Sequence, residues 1–274
     1  MGKNDSNGNS NSLGQSLKTL FSAIVIPAAL VIAILIFKYV MGNPINFIEG
    51  NVEKGPLPGN YLGIIYKGGI IVPILMTMLI AVITFSLERF ITITRASGKG
   101  SVVNFVRKIK ANLSSNNIEA AKAECDKQKG SVANVVKSAL TKYTQVEKET
   151  GMEKEQKLAA IQKEIEEATT LEMPSLEQNL VILATITSVS TLMGLLGTVI
   201  GMIKAFAALA NAGAPDSVAL ATGISEALIN TAFGIGTAAL AVIMYNVFTT
   251  KIDKLTYSID EAGFSIVQTY AASH

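Results

Sequence analysis

The sequence predicts an all-α fold: a polytopic bundle of membrane helices with a helical polar domain. Three observations predict it. Four stretches are uncharged and apolar over lengths that cross a bilayer core at about 1.5 Å of rise per helical residue. Hydrophobic residues make up 49% of the chain and charged residues only 16%, a membrane-protein balance. The one long polar stretch repeats its apolar residues at helical spacing.

Residues 1–16 are rich in Asn, Ser and Gly, bury too little apolar surface to offset ordering entropy, and read as a disordered tail. Residues 17–42 read as a first spanning helix, uncharged from Thr19 to Phe37 between Lys18 and Lys38, with Pro27 bending it. No small-x-small pattern follows Lys38 and Met41-Gly42-Asn43-Pro44 is a helix stop, so the reading is an uncleaved helix rather than a signal peptide. Pro44, Pro56 and Pro58 make 43–66 a loop. Residues 67–88 form the second spanning helix, closing at Glu88-Arg89.

The polar segment 89–177 carries fifteen of the twenty-three Lys and Arg residues, whereas the loop at 43–66 carries Lys54 alone. Arg89, Arg95 and Lys99 lie in the flank where the positive-inside rule is strongest, so the segment is cytoplasmic. Several amphipathic helices are expected in it, one capped from 114–117 and running from Ile118 to Lys127. The charge run from Glu147 to Glu167 reads as a solvated helix face with i,i+4 pairs such as Glu153 and Lys157. Pro174 marks a kink where this helix enters the membrane.

The third spanning helix, 178–210, is uncharged from Gln178 to Ile203. Along it Thr187, Thr191, Gly194, Thr198, Gly201 and Ala205 recur at alternating spacings of four and three. That seam serves a close helix neighbour or a polar path, not lipid. A turn at 211–222 leads to the fourth helix, 223–250, and Lys251 and Lys254 return the chain to the cytoplasm. Both termini are then cytoplasmic, with 251–274 a short amphipathic end. Thr198 and Thr231 both fall about 14 to 18 Å from the 211–222 turn, near the bilayer midplane.

The segments LEQNLVILATI, GLLGTVIGM and GISEALINTAFGIGTAALAVIMYN resemble, in order, the motifs of the MotA/TolQ/ExbB proton-channel family. The resemblance runs from about residue 65 to the end and is closest to ExbB. It implies three family-type membrane helices, to which the helix at 17–42 is an addition. It further implies a bacterial inner-membrane location with 43–66 and 211–222 periplasmic, and a homopentamer enclosing an ExbD- or TolR-type single-span subunit that carries a membrane Asp. A TonB-like protein is a further partner it suggests.

In that family, threonines at the positions of Thr198 and Thr231 line the ion path. Thr187, Thr191, Asn230 and Thr237 are further lining candidates, and Gly194, Gly197, Gly201 and Gly234 serve helix packing. The alternative for each threonine is a hydrogen bond back to its own helix. Glu226, in the EALINTA motif, stands as a proton entry group, an interface partner or a solvated residue at the helix mouth. Lys204, near the outer end of the third helix, either snorkels or pairs with Glu226 on the neighbouring helix. Many family members have proline where this chain has Thr191 and Leu240, which predicts straighter helices here.

The four spans hold no midplane carboxylate, so a partner must supply the proton carrier. The load divides the family into ExbB-like, TolQ-like and MotA-like roles, and a non-conducting scaffold is the other reading of the glycine seam. No P-loop, HExxH or nucleophile beside a base points to an enzyme, and no cofactor or metal site is expected. A net charge of +2 and a lone Cys125 argue for neither nucleic acid nor a disulfide.

Overall fold

The computed structural model describes residues 8–210 and 216–273; His274 and the first residues of the expected tail lie outside them. Among the described residues the chain is helical with no strand. It divides into two compact units, one of residues up to 86 with 182–244, the other of 87–181 with 245–274.

In the first unit α1 (Gly8–Leu35) continues into a π-helical turn, Ile36–Met41, that stops at Gly42. The helix thus begins inside the expected tail: once the apolar segment is helical, each added residue gains a hydrogen bond without a new nucleus. The loop after it is more ordered than its prolines suggest. Three 3-10 turns lead to α2 (Tyr61–Tyr66), and the Asn46 amide ties them together by donating to the carbonyls of Val40 and Met41 at 2.8 and 2.9 Å. The helix α3 (Ile71–Ala96) runs eight residues beyond the expected stop at Glu88, because Phe90, Ile91 and Ile93 keep the apolar period going.

The helices α8 (Leu180–Ala210) and α9 (Ser217–Ser273) complete this unit with residues 182–210 and 217–244. The expected turn at 211–222 lies partly outside the described residues, and α9 begins before the expected 223. Asp216 caps α9 six residues early, its Oδ1 accepting from Val218 N at 3.0 Å and Ala219 N at 2.9 Å. Ala33, Met41, Val72 and Met76 form one buried cluster, flanked by Ile229 and Phe233 of α9, so the additional helix packs into the bundle. Among the described residues four helices are long and apolar enough to cross a membrane, and the protein is a multi-pass membrane protein.

The second unit is built from α4 (Val102–Ser114), α5 (Ile118–Gln128), α6 (Gly130–Lys148), α7 (Lys154–Glu177), the end of α3 and the last part of α9. Its core is built from apolar residues at helical spacing, Phe105, Val106 and Ile109 with Val132, Val135, Val136, Leu140, Tyr143 and Ile161. Asn117 caps α5 as expected, accepting from Ala120 N at 3.0 Å. Glu153 acts as the N-cap of α7, with Gln156 Oε1 accepting from its N–H at 3.2 Å, while Lys163 and Glu167 supply an i,i+4 pair.

The expected continuous passage from α7 into α8 is broken. α7 passes through Pro174 and ends at Glu177, and Asn179 adopts a left-handed backbone with φ 65°. Asn tolerates that region better than most residues. Arg89, one of the flank charges that the positive-inside rule counts, is 1% exposed. Its guanidinium donates to the last-turn carbonyls of α7, Ser175 and Leu176, both at 3.2 Å, and to Glu88 Oε2 at 2.6 Å. Helix-end carbonyls lack intrahelical donors, and a planar five-donor side chain satisfies two at once.

Candidate functional site: a hydroxyl pair and a buried ion pair between α8 and α9

The small-residue seam faces α9. A Cβ on Gly194 would stand 3.0 Å from Asn230 O, one on Gly201 2.6 Å from Ala227 N, and one on Gly234 2.6 Å from Ser190 O. A Cβ on Gly197 would collide with the Asn230 side chain, 2.8 Å from its Nδ2. Gly223, which the sequence reading omitted, belongs to the same contact: its Cβ would reach 2.7 Å from Ala205 N. The backbones therefore touch along the seam, the geometry that small residues permit in a membrane.

This approach brings Thr198 and Thr231 together. Their hydroxyls hydrogen-bond each other across the two helices, and each also reaches back along its own helix, to Gly194 O at 3.3 Å and Ala227 O at 3.0 Å. Each hydroxyl has one proton to donate, so two protons serve these three contacts: while one hydroxyl donates across to the other, only the other donates back to its own helix. Either hydroxyl can be the donor in the shared bond, and both side chains are half-buried.

Five residues before Thr231, about 7.5 Å along the helix, Glu226 is 3% exposed and bound by Lys204, whose Nζ donates to Oε1 at 2.7 Å and Oε2 at 2.8 Å. A solvated Glu226 at the helix mouth is therefore overturned. The reason is packing: Gly69, with φ +74°, sits so close that its Cβ would be 3.0 Å from Glu226 Cδ. Only glycine combines that backbone with that approach. Asn230 donates to Gly68 O at 2.9 Å, so α9 grips the Gly68-Gly69 turn at two points. Nothing in the spacing of the sequence pointed to that turn; a Gly-Gly pair opening an apolar run was the available signal.

The remaining candidates separate. Thr187 and Thr191 are half-buried and bond back to Leu183 O and Thr187 O at 3.0 and 3.1 Å. Asn230 and Thr237 are buried inside the α8–α9 packing of the single chain. Asn230 Oδ1 and Thr237 Oγ1 have no hydrogen-bond partner among the described residues. Cys125 is buried in the second unit and its thiol is pushed up to about 12, chiefly by burial. No cluster of metal-ligating side chains occurs among the described residues.

Residues 127–261, which include Thr198, Lys204, Glu226 and Thr231, match the MotA/TolQ/ExbB proton channel family. Over 124 residues the chain is 32% identical to the Tol-Pal system protein TolQ of Pseudomonas aeruginosa, covering 45% of this chain and 54% of that one. TolQ of Haemophilus influenzae is 42% identical over 88 residues, 32% and 39% of the two chains. The biopolymer transport protein ExbB of Salmonella typhimurium is 34% identical over 85 residues, 31% and 35% of the two. The chain thus spans about half the length, or less, of these relatives. TolQ and ExbB proteins match at comparable identity, so the likeness does not favour one over the other.

Proposed function

We propose that this protein is the larger subunit of an ion-driven motor in a bacterial inner membrane, with the Thr198–Thr231 pair on the proton path. The observation that carries the reading is the meeting of the two hydroxyls between α8 and α9, inside a family of proton channels. The described spans hold one buried carboxylate, Glu226, and Lys204 already binds it. A proton carrier at the hydroxyl level must come from a partner, and a single-span ExbD- or TolR-type subunit with a membrane Asp fits that need. A homopentamer would present five hydroxyl pairs around it, and the apolar faces of Leu192, Leu195, Val199 and Ile203 on α8 are free to form its subunit contacts.

Protonation of the partner's Asp, its passage along the hydroxyl ring and its release would turn one subunit against the other, since a charge crossing 100 mV yields about 2.3 kcal/mol. The load we favour is ExbB-like, energising TonB-dependent outer-membrane transport, on the EALINTA segment; a TolQ-like load is the second reading, on the TolQ relatives. Co-reconstitution with the neighbouring single-span subunit tests the proposal. Internal acidification of vesicles under an inside-negative potential is expected only when both are present. Acidification without the partner, or none with it, contradicts the reading.

A further inference from the structure

The additional helix leaves a groove that the motor reading does not use. Leu30, Ile34 and Phe37 form one wall, and Ile70, Pro73 and Ile74 at the start of α3 form the other, enclosing about 570 Å³ of almost wholly apolar space. Lys38 is the one charged side chain in its lining. Among the described residues Lys38 has no carboxylate partner; its ammonium lies 5.8 Å over the ring of Tyr39.

The backbone at this point is irregular. Phe37 and Lys38 sit on the π-helical turn, closed by Gly42 N donating to Phe37 O at 2.9 Å. A π turn shifts the side-chain register of the helix it interrupts and is frequent at functional sites. Here Phe37 stacks on Tyr66 at 4.6 Å, and both line the groove together with Lys38. Tyr39 and Tyr61 are exposed at the same end of the bundle, and tyrosines collect where membrane meets water. An apolar slot within the hydrocarbon layer, with an unpaired cation in its lining at the headgroup level, is complementary to a lipid with a negative head.

We propose that this groove binds one anionic phospholipid, an acyl chain lying between α1 and α3 and the phosphate held by Lys38. The inference rests on the helices crossing the membrane and not on the motor activity. Ile70 is 77% exposed, so filling the slot with Ile70→Trp leaves the core untouched.

The test is native mass spectrometry of the detergent-purified full chain titrated with phosphatidylglycerol or phosphatidylcholine of the same acyl chains. Phosphatidylglycerol is expected to remain bound at lower concentration than phosphatidylcholine. Lys38→Gln should weaken it about fivefold, the increment of one basic residue at a lipid surface, and leave phosphatidylcholine unchanged. Ile70→Trp should abolish retention of both. Equal retention of the two lipids, or indifference to either substitution, overturns the proposal. A chain dimer that Ile70→Trp dissociates in the absence of lipid also overturns it, assigning the groove to a second copy.

Discussion

Gly197 of α8 lies directly against the amide of Asn230 on α9, leaving no room for even one methyl group between them. That contact fixes the distance at which Thr198, the next residue, meets Thr231. Gly197→Ala should therefore force the Asn230 amide off Gly68 O and cost about 1–3 kcal/mol, as overpacking does. Gly236→Ala, where a Cβ meets open space, is the control. Thermal unfolding in detergent checks the difference, with a lowered midpoint expected for the first variant only.

The Lys204–Glu226 pair predicts an asymmetry. Lys204→Met leaves a carboxylate buried against Gly69 without its cation, and removing one partner of such a pair costs about 3–5 kcal/mol. Lys204 is itself 53% exposed, which places the loss near the lower end. The double variant Lys204→Met/Glu226→Met should recover most of the stability, because no charge is stranded. A double-mutant cycle on unfolding midpoints measures the coupling; additive losses would mean the pair contributes nothing beyond its separate side chains.

Arg89 predicts a local rather than a global effect. Arg89→Met frees the carbonyls of Ser175 and Leu176 at the end of α7 and strands Glu88, so amide exchange around 173–181 should accelerate well before the rest of the second unit responds. Arg89→Lys is not expected to restore protection, since a single ammonium does not span both carbonyls and the carboxylate. Hydrogen exchange read by mass spectrometry distinguishes the two.

Cys125 holds its proton up to about pH 12 in the folded protein, against 9.0 for an ordinary thiol. The folded state therefore binds the proton more tightly than the unfolded state, and this contribution to stability is full below pH 9.0 and is lost as pH rises toward 12. Alkylation by iodoacetamide at pH 8 should be slow in the native protein and become fast on unfolding. Cys125→Ala should flatten the alkaline fall in stability.

Much of this architecture was legible in the sequence because membrane spans announce themselves by length and lack of charge. The seam from Thr187 to Ala205 gave the α8 face that meets α9, since helical period alone dictates which residues share a face. The polar domain was legible for the same reason. Asn179 was not: a break stabilised by a left-handed Asn and by an arginine ninety residues away in sequence is a tertiary event with no local signal. Pairing with Glu226 was one of two readings open for Lys204, and the burial of Glu226 depends on Gly69, which arrives from the turn before α3. The six residues that α9 gains at its start follow from the cap at Asp216, a signal that the NAGAPDS stretch carried and that its turn character masked.

The central claim is that the paired hydroxyls of Thr198 and Thr231 lie on the proton path. Proton uptake into vesicles holding this subunit and its single-span partner should fall at least tenfold with Thr198→Val or Thr231→Val, substitutions that keep shape and remove the hydroxyl. Thr198→Ser should retain flux, and the variants should still co-purify with the partner. Undiminished uptake by both valine variants, with assembly intact, would contradict the account and leave the pair as helix glue.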